Sequence, residues 1–269
     1  MLSFSKAKKQ AKLKNIIQWL AVLPMSTLYD KASKAVQTLG HRVANGYIPN
    51  VYSFSLPAGF SCPFAGDCLT KSDRITGKIS DGLNMVYRCF EASMEARSKQ
   101  LRAMVWRNFE ALRHLSLEEM VNLIYESVPI DADIIRIHVG GDFFNQRYFS
   151  AWLAVARLYP DKVFYAYTKS IGYWINELGN IPDNLSLNAS RGGTQDELID
   201  IYNLKTAEVV FNPESAEAKG LEIDHDELHA ILNNGDFALL VHGSQPPGTD
   251  ASEAIKDMKH RDIQFSYSR

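Results

Sequence analysis

The stretch IIRIHVGGDFFNQRYFSAWLAVARLYPDKVFYAYTKS, residues 134–170, decides the fold. It opens with a β-branched run, IIRIHV (134–139), passes through a Gly-Gly-Asp turn and continues into the amphipathic segment FSAWLAVARLY. A second strand-like run, VFYAY (163–167), follows. Two strands with a helix between them predict a βαβ unit, because parallel strands need such a crossover. The pattern recurs on both sides. Strand-like runs stand at VYSFS (51–55), LSLNA (185–189), EVVF (208–211) and FALLV (237–241), with amphipathic stretches such as LEEMVNLIYESV and DELIDIYNL between them. Six such runs predict an α/β fold with a parallel sheet, a single (β/α) barrel or partial barrel. Residues 5–44 read as helical. The expected organisation is therefore one barrel-like domain over 1–269, with a helical N-terminal extension (1–50) and β/α repeats (51–269).

Composition bounds the possibilities. With 46% hydrophobic and 11% aromatic residues in 269, there is ample material for one large core. The formal net charge of −2 excludes a general polycation, so a nucleic-acid partner would need a local basic patch. The apolar run IIQWLAVLPM is shorter than the ~18 residues a membrane span needs. The basic stretch before it, SKAKKQAKLK (5–14), is not followed by an A-x-A cleavage site. The expectation is a cytoplasmic protein without a membrane partner. Lys6, Lys8, Lys9, Lys12 and Lys14 read as a solvated helix tip.

The only three cysteines, Cys62, Cys68 and Cys89, fall in one short segment with the spacing C-x5-C-x20-C. An odd count argues against a disulfide framework. Thiolates are soft ligands for zinc or iron–sulfur clusters, and three of them leave a fourth position open. The competing reading is that they are small buried hydrophobes.

In barrel folds the chemistry sits on the loops that follow the strands. Gly140 and Gly141 would let a ligand approach the backbone, and Asp142 would serve as nucleophile, general base or amine anchor. Its competing role is a helix N-cap. His138, on the same strand, is either a proton-handling group or a core histidine. Tyr165 and Tyr167 share a face that could stack a planar substrate. Lys169, between Thr168 and Ser170, suits an anion. Asn188 ends the next strand and joins the candidate substrate-binding set. HGSQPPG (242–248) would close the mouth of the site or be a plain loop. On the helical stretch 88–113, Lys99, Arg102, Trp106 and Arg113 fall on one narrow stripe. That stripe would either line a phosphate backbone and stack a base, or be a solvated charged face.

CPFAGDC (62–68), YRCFEAS (87–93) and the run from Arg136 to Ser170 resemble the phage gene product 88 family, over roughly residues 51–195. The resemblance implies a phage or prophage source and a barrel with a cysteine-bound metal near its mouth. The second cysteine-rich cluster of many members has no counterpart in this chain.

Within that frame the chain also resembles two enzyme classes. The phage branch of the base-exchanging transglycosylases implies replacement of guanine in DNA by a 7-deazaguanine derivative. Zinc would sit on Cys62, Cys68 and Cys89, Asp142 and His138 would be catalytic, and the base would stack on Tyr165 and Tyr167. DNA and a small-molecule base would be the partners, with Glu214 or Asp81 as the second acid/base. This is the leading expectation, although those enzymes space their cysteines differently. Radical-SAM enzymes imply instead a [4Fe–4S] cluster on the three cysteines with S-adenosylmethionine. Gly140-Gly141-Asp142 would then stand where those enzymes place a Gly-Gly-Glu that grips the methionine amine. The cysteine spacing departs from their compact CxxxCxxC loop. A third reading is a non-catalytic, zinc-containing DNA-binding accessory protein.

Overall fold

Alternating strands and helices follow one another along the chain of this computed structural model, which describes residues 1–7, 33–232 and 235–265. Strand β1 (Ser5–Lys6), helix α1 (Lys34–Ala44) and strand β2 (Val51–Phe54) come first. Next is an antiparallel hairpin of β3 (Thr70–Ser72) and β4 (Ile79–Asp81), then helices α2 (Phe90–Arg97), α3 (Lys99–Leu112) and α4 (Leu117–Ser127). Strict alternation follows through β5 (Ile134–Ile137), α5 (Gln146–Leu158), β6 (Val163–Thr168), α6 (Ile171–Ile175), β7 (Leu185–Ser190) and α7 (Asp196–Ile201). It continues with β8 (Thr206–Val210), α8 (Pro213–Ala218), β9 (Glu222–Ile223), α9 (Leu228–Leu232), β10 (Phe237–Leu240) and α10 (Asp250–His260).

Eight of these strands form one sheet in the order β1-β2-β5-β6-β7-β8-β10-β9. Every neighbouring pair from β2 to β9 is parallel, and only β1 runs antiparallel, pairing Ser5 with Ser53. The strands β2, β5, β6, β7, β8 and β10 lie side by side in chain order, so the sheet is wound in a single direction. All six expected runs are strands of this mostly parallel α/β sheet. Among the described residues no pairing joins β1 to β9, so the sheet is open and no closed barrel forms.

Helices cover both faces of the sheet. Side chains alternate across a strand, so Ile134 and Ile135 face opposite ways. Ile135, Ile137, Phe54, Phe164 and Leu187 bury against Met120 and Ile124 of α4 and Phe149, Trp152 and Val155 of α5. On the other face Ile134, Val163, Tyr165, Ala207 and Phe237 pack against α1 (Val36, Leu39, Val43) and α9 (Leu228, Ile231). A third apolar cluster packs α10, through Ala251, Ile255 and Met258, against Ala238 and Leu240.

The helix starts follow local chemistry. Ser116 and Glu119 form a reciprocal capping box on α4. Asn145 accepts the Tyr148 N–H at the start of α5, and Asn212 caps α8 with Pro213 behind it.

Three expectations change. Ser5 and Lys6 are edge strand, not helix, and in the described part of 1–50 only Lys34–Ala44 is α-helical. Lys8, Lys9, Lys12 and Lys14 lie outside the described residues, while Lys6 bonds Asp131 at 2.9 Å. The stretch 88–113 is two helices, broken at Ser98 (φ −114°, ψ 104°), whose side chain caps α3 by accepting the Leu101 N–H. Among the described residues no helix is long and apolar enough to cross a membrane.

Candidate functional site

At the C-terminal ends of the parallel strands lies a cavity of about 560 Å3. All three cysteines line it, together with Gly140, Gly141, Asp142 and Lys169. The segment that carries the thiols lies across the mouth and is tied down on two sides. Asp67 N–H donates to the Gly192 carbonyl (2.9 Å) and Thr194 N–H to that of Phe64 (3.0 Å), joining it to the loop after β7. At its other end the Gln245 side chain clasps the Arg88 backbone, accepting from N–H (2.7 Å) and donating to C=O (3.1 Å). His242 packs its ring on Phe90 (4.8 Å). Of the HGSQPPG loop, His242 and Gly243 line the cavity and Gln245 ties the loop to the thiol-bearing segment. Gly66 is required at the first contact, because a Cβ there would stand 2.8 Å from the Gly192 oxygen.

The thiols sense one another. Burial first, then the charges of Asp142, Cys89 and Cys68, push the Cys62 thiol well up. Cys89 rises to about 12 through burial and Cys68. Cys68 also rises through burial, although the nearby Lys169 charge opposes the shift. All three shifts favour the neutral thiol at pH 7, so a metal that bound here would have to displace their protons. Among the described residues, however, no three Cys, His, Asp or Glu side chains converge on a point that would hold a single metal ion.

Asp142 is a strut. Its Oδ1 accepts the Phe143 N–H (2.7 Å) and the Thr168 hydroxyl (2.6 Å), and Oδ2 accepts the Lys169 N–H (2.8 Å). It thereby locks the turn after β5 to the end of β6. Burial nonetheless raises its pKa to about 6. The helix cap expected of it is supplied by Asn145 instead. Gly141 is needed for its φ of +86° and because a Cβ would stand 2.6 Å from that of Leu56. At Gly140 a Cβ would fall 2.1 Å from Cγ of Glu91.

Two expected site residues are engaged in contacts within the fold. Asn188 does not line the cavity; its amide staples Ala166 (3.0 Å) and Ala230 (3.2 Å) carbonyls, fixing β7 to β6 and α9. His138 lies at the cavity in a left-handed conformation (φ 70°), with Nε2 2.9 Å from the Tyr148 hydroxyl. Burial and the Arg136 charge lower its pKa to about 3, so it is neutral and a poor proton carrier at pH 7. Lys169 donates to the Ser190 carbonyl (2.9 Å) and hydroxyl (3.0 Å) and to the Arg191 carbonyl. Tyr165 and Tyr167 do line the cavity but stand edge-on to each other, at 75°. Tyr165 donates to Glu227 (2.5 Å), and the Arg136 guanidinium lies 5.1 Å from the Tyr167 ring. Glu214 and Asp81 do not line the cavity; each pairs with an arginine, Arg261 and Arg88 respectively.

The proposed DNA stripe is not assembled. Arg102 is buried, with its guanidinium donating to the carbonyls of Arg74, Ile75, Glu95 and Ala96. Trp106 is buried beside Phe60 (4.9 Å) and Phe109. Only Lys99 and Arg113 are exposed, and Arg113 pairs with Glu110 at 2.9 Å. Helical periodicity placed these residues on one face correctly, but the turn of the β3–β4 hairpin, through Arg74 and Ile75, covers its middle, where Arg102 and Trp106 lie. Arg102→Ala is expected to cost about 2 kcal/mol in urea unfolding, because four carbonyls lose their donor, whereas Lys99→Ala stays within about 0.5 kcal/mol.

Sequence reasoning passed over Arg136, Glu91 and Glu227, all of which line the cavity. Arg136 donates to the His138 carbonyl (3.2 Å) and to Glu227, itself in a left-handed conformation (φ 71°). An arginine at the inward position of IIRIHV was the available signal.

A sequence model of the family described as Gene product 88 matches residues 25–260. The chain is 33% identical over 128 residues to the Gene 88 protein of Mycobacterium phage L5 and 31% identical to that of Mycobacterium phage D29. Each alignment covers 44% of this chain and 47% of the relative, so the chain spans about half the length of the curated relatives it matches. No solved structure matches. With most of its length inside the family match, the chain belongs to the Gene product 88 family, alongside these bacteriophage proteins.

Proposed function

We propose that this chain is a radical-SAM-like iron–sulfur enzyme, with Cys62, Cys68 and Cys89 holding a [4Fe–4S] cluster. One observation carries the reading. The chain's three cysteines line one cavity with the Gly140-Gly141-Asp142 turn at the C-terminal edge of an open, singly wound parallel sheet. Cysteine thiolates are the ligands an iron–sulfur cluster takes, and three of them leave one position open. Held by these three thiolates, such a cluster would supply one-electron reductive cleavage of S-adenosylmethionine, with the electron provided by an external low-potential reductant.

The chain's own residues provide the setting. Asp142 fixes the glycine turn, and the clamp from Gln245 to Arg88 ties down the segment beside Cys89. Base exchange finds less support. It needs a free carboxylate nucleophile, and both oxygens of Asp142 are already engaged by protein donors. The buried Arg102 and Trp106 weaken both DNA-dependent readings.

The test is reconstitution with iron and sulfide in the absence of oxygen. About four irons per chain, a brown chromophore and reductant-dependent 5′-deoxyadenosine are expected. All three should disappear in Cys89→Ala. Protein that binds one zinc per chain and takes up no iron would return the case to a zinc site.

A further inference from the structure

Beyond the glycine turn the cavity continues along the face of the sheet that carries Arg136, Tyr165 and Tyr167. Val209 of β8, Leu239 of β10 and the following Val241 make this wall apolar, and Phe90 and Met94 of α2 add to it. Most charged groups of the lining are engaged within the protein. The two oxygens of Glu227 accept from Arg136 and from Tyr165. Asp142 has its three donors, Lys169 holds the Ser190 and Arg191 carbonyls, and Arg88 pairs with Asp81. Glu91 lies over Gly140, on the turn.

Arg136 differs from these. Its Nε donates to the His138 carbonyl (3.2 Å) and its Nη1 to Glu227. Among the described residues its Nη2 has no acceptor, and that nitrogen is not sealed from solvent. The side chain keeps 18% of its surface, which opens on the cavity. At the rim Arg97 is exposed, with only the Ser93 carbonyl (3.1 Å) and the Met94 sulfur as acceptors among the described residues. This part of the cavity therefore presents apolar surface and unused guanidinium donors. That pairing of an apolar wall with a few placed polar groups is what a small-molecule site needs, and a guanidinium edge matches an oxyanion.

We propose that this part of the cavity binds an organic carboxylate, with the carboxylate on Arg136 and an apolar body against Val209, Leu239 and Val241. A phosphate ester fits less well. Glu227 already offsets the charge of Arg136, which leaves hydrogen bonds but little net charge for a dianion. As a substrate class the proposal rests on the enzyme reading above, but the binding itself needs no metal.

The test titrates metal-free protein at pH 7 with pyrenebutyric acid and with pyrenebutanol, following pyrene fluorescence. The two probes share an apolar body and differ in the head group. Wild type should bind the acid about 10- to 100-fold more tightly, the worth of a charge-assisted hydrogen bond. The double variant Arg136→Gln, Glu227→Gln removes both members of the ion pair and so strands neither charge. In it the preference for the acid should vanish while the alcohol binds as before, which also shows that the variant folds. Arg136→Lys keeps the charge without the planar edge and should lose most of the preference, so it decides the matter if the double variant does not fold. Equal affinity of wild type for the two probes, or binding of neither, overturns the proposal. A preference that survives in the variants overturns it as well. Acid binding by protein that takes up no iron supports the site while removing the cluster, so the two readings fall separately.

Discussion

Between pH 5 and pH 8, Glu95→Gln is expected to gain roughly 3 kcal/mol of stability relative to wild type. Glu95 has no exposed surface, and its pKa is raised from 4.5 to about 8 by burial, with the Glu91 charge adding to the shift. One oxygen accepts the Ala58 N–H at 2.8 Å, and the other has no partner. The sign follows from linkage. Below pH 4.5 the carboxyl is protonated in both folded and unfolded chains and costs nothing extra. As pH rises, the unfolded chain releases its proton from 4.5 upward, while the folded chain keeps it until about 8. Wild type therefore loses stability across that window, and glutamine, which has no proton to release, does not. Urea unfolding of both proteins at several pH values reads the difference directly. Two curves that stay parallel from pH 5 to 8 would show that Glu95 titrates normally.

Trp152→Ala should cost about 3–5 kcal/mol, a large fraction of a domain's stability. Trp152 is fully buried in α5, with Phe54 at 5.6 Å, Phe4 and Tyr148 at 6.4 Å and Phe164 at 6.5 Å between ring centroids. It joins Phe4, just before β1, to β2, β6 and α5 in one aromatic cluster. Rigid strands on two sides limit collapse of the resulting void, which places the cost toward the upper end. Trp152→Phe, which keeps a ring in the site, should cost about half as much. The check is a lowered urea midpoint at unchanged slope. A midpoint shift below about 1 kcal/mol for the alanine variant would mean that the cluster repacks.

The strands were legible in the sequence because β-branched and aromatic runs such as IIRIHV and VFYAYT differ sharply from their neighbours. Their parallel pairing followed from the helices between them. Whether the sheet closes was not legible, since that depends on pairing between edge strands far apart in the chain, a tertiary choice. The β3–β4 hairpin was missed because TKS and ISD are too short and polar to carry a period. In the site, clustering of the cysteines was visible from spacing alone, and the cavity gathers all three. Arg102 shows where such reasoning stops. A helical wheel gives direction but says nothing about what covers that direction, and four carbonyls cover it here. Asp142 is similar: the sequence marks a carboxylate at a strand mouth, and only the fold reveals that its oxygens are already spoken for.

The clasp between Gln245 and Arg88 has a consequence for biogenesis. Because the main strands lie in chain order, each can dock on its predecessor as synthesis proceeds, with short loops closing at every step. The thiol-bearing segment belongs to the early part of the chain, but the groups that pin it come from after β7 and after β10. Arg88 and Gln245, which make the clasp beside Cys89, stand 157 positions apart. That contact therefore cannot form before β10 and the loop behind it have been made, whereas the Cys62–Cys68 end already finds its partners after β7.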